Sequence, residues 1–225
     1  FDQPVRYIIY SHHHFDHAPG AEVFSDSVYE VIAQESFEEN LKADTFKIKA
    51  KVMPTRTYKG RMELSLGTKK VELLDLTSNH TSDSTIVRFP DEKIIFTVDL
   101  GPAGRVAWRY FGGYSVEDSN DFGLALTDME TIMALDFDII APGHYDYKTV
   151  KDLRRTYEYH IDLCKRVAME MEAGSDLAQI LETVTMSDYI DLKLHDRFLA
   201  MNVEGMHYQL TRHSPDVRCR VKDAP

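Results

Sequence analysis

Apolar residues come in short blocks separated by polar turns over the first two thirds of the chain. Beyond residue 150 they recur at helical spacing. "VRYIIYS" (5–11) reads as a short buried strand. "SVYEVIAQESFEENLKA" (27–43) spaces its apolar positions three and four apart, which predicts a helix with Ser27 as N-cap. "RMELSLGTKKVELLDL" (61–76) predicts two strands about a turn at Gly67, and "STIVRFPDEKIIFTVDL" (84–100) repeats the pattern about Pro90-Asp91. "LALTDMETIMAL" (124–135) is helical, and "DFDIIAPGH" (136–144) is a strand running into a loop. "VKDLRRTYEYHIDLCKRVAMEMEAG" (150–174) predicts one long amphipathic helix closed by Gly174. "SDLAQILETV" (175–184) opens on a capping residue, and "HDRFLAMNVEGMHYQL" (195–210) gives a last helix. No repeat or linker interrupts the series. The reading is a layered α/β domain over 1–225, with a core over 1–150 and a helical extension over 151–225.

Composition narrows the function. The 225 residues carry a formal charge of -11, which disfavours a phosphate backbone as partner, so no nucleic acid is expected. No apolar run approaches the roughly 20 residues that span a bilayer, so no membrane segment is expected. The chain reads as soluble, and its first residue, Phe1, leaves its compartment open between cytoplasm and periplasm or exterior. Two cysteines, Cys164 and Cys219, exclude a disulfide scaffold and a cysteine-rich zinc cage. Cys164 is expected in the core of a helix and Cys219 as a free thiol. Any metal must then be held by His, Asp and Glu.

Such residues are concentrated in "SHHHFDHAPG" (11–20), directly after the first strand. In an extended segment alternate side chains share a side, so His12 and His14 can converge on one ion. Asp16 and His17 lie past the bend and can face a second ion. Imidazole and carboxylate are ligands zinc accepts when thiolate is absent. His80, Asp99 and His144 each follow a predicted strand and can open on the same sheet edge.

HHHFDH, then "NHTSD", "FTVDL" and "PGH", in that order, resemble the metallo-β-lactamase fold superfamily over about residues 5–150. The resemblance implies an αββα sandwich, here without the usual N-terminal strands. It implies two metal ions, zinc first, with iron or manganese as other choices. His12, His14 and His80 would hold one ion. Asp16, His17 and His144 would hold the other, and Asp99 would bridge them. Asp16 and Asp99 become the catalytic carboxylates, with His13 and Phe15 as non-ligands. A metal-bridging hydroxide would attack an ester, lactone, thioester or amide bond, a β-lactam included. Two alternatives on the same fold stay open: a mono-iron sulfur dioxygenase using His12, His80 and Asp99, and a metal-binding assembly protein without turnover. Only eleven residues precede His12, so the N-terminal side is expected to be covered by another copy in a homo-oligomer or by rearranged elements.

The expected partner is a small-molecule substrate. "GPAGRVAWRYFGGYS" (101–115) would give its pocket an aromatic wall through Trp108 and Tyr110, or else plug the open side. Tyr145 would donate to an oxyanion or pack. Asp83 would orient a ligand His or cap a turn. Arg105 and Arg109 would meet an anionic group or stay solvated. His160, His195, His207 and His213 have no ligand spacing and read as structural or exposed.

Overall fold

The computed structural model describes residues 3–24, 26–76, 80–212 and 219. The chain forms two compact units, Phe1–Val98 with Asp136–Asp146, and Asp99–Leu135 with Tyr147–Pro225.

The first unit holds two sheets. Strands β1 (Tyr7–Ile9), β2 (Glu30–Gln34) and β3 (Arg56–Tyr58) form a parallel sheet in the order β1-β2-β3. Helix α1 (Phe37–Ala43) makes the β2–β3 crossover. Strands β4 (Arg61–Leu66), β5 (Lys69–Asp75), β6 (Thr85–Phe89) and β7 (Ile94–Val98) are successive antiparallel neighbours. Between β4 and β5, Gly67 takes the left-handed turn conformation, φ 62°, that glycine adopts without steric cost. A final strand, β8 (Ile139–Pro142), lies parallel to β7. Both sheets contribute to one apolar cluster: Ile32 and Tyr58 from the first, Leu64, Leu73 and Val87 from the second.

The helix expected over 27–43 is instead a strand followed by a short helix, and Ser27 caps neither. The reason is burial. Ile32 faces the cluster between the sheets, while Val31 and Ala33 pack with Phe37 and Leu41 on the other face. A strand buried on both faces is apolar throughout and loses the alternation that marks strands.

The second unit is built on α2 (Phe122–Met133), α3 (Val150–Glu172), α4 (Leu177–Thr183) and α5 (His195–Arg212). Asp176 caps α4 by accepting from Gln179 N, and the Gln179 side chain accepts from Asp176 N in return. Buried Asn202 of α5 accepts from Tyr159 of α3 and donates to the carbonyls of Ala107 and Arg109. That network ties the aromatic loop 101–115 to two helices. Among the described residues no helix is long and apolar enough to cross a membrane.

Cys164 and Cys219 form a disulfide, which corrects the expected free thiol at Cys219. Nothing local in the sequence marks the pairing. The fold brings the two Cα atoms to 5.7 Å, a span disulfides bridge.

His160 of α3 is fully buried beside Phe111 and Phe122, and its Nδ1–H donates to Thr156 O at 2.7 Å. Burial pushes its pKa down from 6.5 to about 4. The unfolded chain therefore takes up a proton between those pH values that the folded chain refuses. Stability from this group is complete above pH 6.5 and is lost as the pH falls toward 4, by roughly 3 kcal/mol in all. Urea unfolding between pH 7 and 4 should show this slope, and His160→Gln should flatten it.

Candidate metal centre

Backbone bonds fix the HHHFDH segment to both sheets. Tyr10 N donates to Ile32 O at 2.9 Å, and Thr85 N of β6 donates to Ser11 O at 2.8 Å. The chain then bends, with His17 N and Ala18 N both donating to His14 O. His12 and His14 therefore precede the bend, and Asp16 and His17 follow it.

Two groups of ligand atoms result. His12 Nε2 stands 3.1 Å from His14 Nδ1 and 3.2 Å from His80 Nε2. Asp16 Oδ2 lies 3.5 Å from His17 Nε2 and 3.4 Å from His144 Nε2. Within each of the groups His12–His14–His80 and Asp16–His17–His144, the ligand atoms all lie within 4.8 Å of one another. Asp99 is joined directly to Val98, the last residue of β7.

These donors fit a divalent metal. Ligand atoms at ~2.0–2.1 Å from a tetrahedral ion stand about 3.3 Å apart, close to the spacing of the His12, His14 and His80 nitrogens. The donor set is all imidazole and carboxylate, and both cysteines are engaged in the disulfide. Burial is graded: His12 is 2% exposed, whereas Asp16 and His144 are open to solvent.

The strand ends are shaped for this. β7 and β8 are parallel, so Asp99 and His144 leave the sheet at one edge. A register irregularity falls between Phe96 and Val98. Val98 itself sits at φ 54°, a costly conformation for a β-branched residue, on the order of 1–3 kcal/mol. Tyr145, next to His144, is also left-handed at φ 74°. Each of these two candidate ligands thus adjoins a non-glycine residue held against its backbone preference.

Next to the candidate ligands lies a buried clamp. Asp83, 1% exposed, accepts from His13 Nδ1 at 2.9 Å and from Asn40 of α1 at 2.8 Å. Burial pushes the Asp83 carboxyl up, but the bonds from His13 and Asn40 outweigh it and hold the pKa below the usual range. Asp83 therefore grips His13, the residue between two candidate ligands. The sequence left Asp83 open between orienting a ligand His and capping a turn, and made His13 a non-ligand. Losing such a support typically weakens metal binding 10–100-fold. Asp83→Asn should show a drop of that order in chelator competition.

Trp108 packs edge-on against Tyr114, with the Arg109 guanidinium over both rings, in the second unit. Tyr110 lines a cleft of about 390 Å³ in that unit with Tyr114, Glu204 and Tyr208. Tyr145 is 52% exposed beside His144. His207 lines the same cleft as Tyr110, and His195 is buried. His213 lies outside the described residues.

A family model described as the metallo-beta-lactamase superfamily matches residues 2–144. The chain belongs to the metallo-beta-lactamase superfamily. A protein of similar sequence is 2,4-dinitroanisole O-demethylase subunit alpha of Nocardioides sp. (strain JS1661), 23% identical over 218 residues, 92% of this chain and 63% of that one. The sec-alkylsulfatase Pisa1 from Pseudomonas sp. superposes with a TM-score of 0.65 at 15% identity, over 93% of this chain and 41% of its own. A metallo-beta-lactamase from Pontibacter korlensis superposes at 0.56 and 19% identity, over 69% of each chain. The chain thus spans less than two thirds of the demethylase subunit and less than half of the alkylsulfatase. At these identities the two superpositions show the superfamily fold alone.

Proposed function

We propose that the chain is a metal-dependent hydrolase with a dinuclear centre, zinc being the first choice of metal. His12, His14 and His80 would hold one ion, Asp16, His17 and His144 the second, and Asp99 would stand between them. The observation that carries this reading is the convergence of two candidate ligand groups from three places in the sequence, the 12–17 segment, His80 and His144. When bound, divalent metal supplies Lewis acidity, acidifying water and polarising an electrophile.

The chain's own residues would do the rest. Asp16 and Asp99 balance part of the cationic charge and leave an excess that favours an anionic transition state. The Asp83–His13–Asn40 clamp holds the ligand loop so that little reorganisation is needed. Exposed Asp16 and His144 place the second group where substrate enters.

The substrate class is an ester, lactone, thioester or amide, a β-lactam included. The relatives' names add an activated aryl methyl ether and a secondary alkyl sulfate to the compounds to try. The test is metal quantification joined to this panel. Wild-type protein should hold metal and cleave at least one compound. His14→Ala and Asp99→Ala should each lower turnover by about 100-fold or more, beyond the 10–100-fold of a lost supporting partner. Full metal and full activity in both variants would overturn the reading.

A further inference from the structure

Phe15 stands between His14 and Asp16, and its ring packs on Phe46, centroids 4.5 Å apart. Phe46 belongs to residues 44–55, which join α1 to β3 without regular secondary structure. That connection is nonetheless fixed along its length. Phe46 N donates to Asp44 Oδ1 at 2.9 Å, and the Lys49 ammonium donates to the carbonyls of Leu41 and Asp44. Lys51 pairs with Glu22, Tyr10 donates to Val52 O, and Thr55 N donates to Val31 O. Ala50, midway along, is buried in the core beneath. Yet Phe46 and Ile48 remain 41% and 61% exposed. A fixed segment is holding two large apolar side chains in water, which forgoes part of their hydrophobic stabilisation.

We infer that Phe15, Phe46 and Ile48 form an apolar ledge that receives the alkyl or aryl part of the substrate, while its cleavable polar group lies at the ligand clusters. The inference rests on the metal-dependent reading above. Continuity carries it: Phe15 is covalently part of the ligand segment. Adjacent Cα atoms are about 3.8 Å apart, so the ledge begins a few carbon–carbon bonds from the ligands. The ledge would favour substrates with a sizeable non-polar group over compact polar ones.

The test is calorimetric binding of n-alkanoates, acetate to octanoate, to the metal-loaded chain. Each added methylene that reaches the ledge should tighten binding by about two- to fourfold. Phe46→Ala and Ile48→Ala, both at exposed positions, should flatten that series and weaken octanoate about tenfold or more. Acetate affinity and metal content should stay unchanged. Affinity independent of chain length in metal-replete wild type would overturn the ledge alone. An unaltered series in both variants would do the same, including where they turn a sedimenting dimer into a monomer and so reveal a contact between copies. Wild type that holds no metal and binds no alkanoate would overturn the hydrolase reading and the ledge with it.

Discussion

Replacing His12 by Ala is expected to strip metal from the protein more completely than any other single substitution in the centre. His12 Nε2 is central to its group, 3.1 Å from His14 Nδ1 and 3.2 Å from His80 Nε2. It is also 2% exposed, so no other described side chain of the loop is better placed to hold an ion away from water. Loss of one such ligand should exceed the 10–100-fold effect of removing a supporting partner, so affinity should fall by more than about 100-fold. His144 belongs to one group only and lies at the exposed edge. His144→Ala should therefore release about half of the bound metal and leave the His12–His14–His80 group loaded. Elemental analysis after equilibrium dialysis separates the two outcomes. Equal metal loss in both variants would mean that the two groups do not bind independently.

Reducing the Cys164–Cys219 disulfide should produce the largest change in stability of any covalent alteration to the second unit. The bond closes a loop of 55 residues. Chain-entropy reasoning assigns a closure of that length about 4 kcal/mol. In a chain of this size that corresponds to a fall in midpoint temperature of roughly 8–16 °C. Cys219→Ser is the cleaner variant, because Cys164 is fully buried and a serine hydroxyl there would bring its own penalty. Thermal unfolding with and without reductant, and of Cys219→Ser, should give matching decreases. A midpoint indifferent to reductant would show that the bond constrains nothing.

Much of the second sheet could be read from the sequence, because β4–β5 and β6–β7 are hairpins whose turns carry Gly67 and Pro90-Asp91 between short β-rich runs. The first sheet was harder. Its strand β2 is covered on both faces, through Ile32 on one and Val31 and Ala33 on the other, and so presents a continuous apolar run. A three-residue strand such as β3, two of whose residues are exposed, leaves almost no pattern at all. The ligand groups stood out because coordination chemistry restricts the residue types and places them at strand ends. The parts that support the ligands did not. His13 and Asp83 are 70 positions apart, and only the fold makes them partners. The Phe15–Phe46 contact and the disulfide are long-range in the same way. Loop 101–115 advertised its aromatic content, but composition says nothing about direction. In the structure its Trp108 packs with Tyr114 and Arg109, and its backbone is held by Asn202.

The central claim is that side chains from three places in the sequence, the 12–17 segment, His80 and His144, hold metal together. Crystals of the metal-loaded protein, measured at the absorption edge of the bound metal, test it most directly. One anomalous peak is expected within bonding distance of His12 Nε2, His14 Nδ1 and His80 Nε2, and a second beside Asp16, His17 and His144. Anomalous density that appears only at other side chains, or none in fully loaded protein, would contradict it.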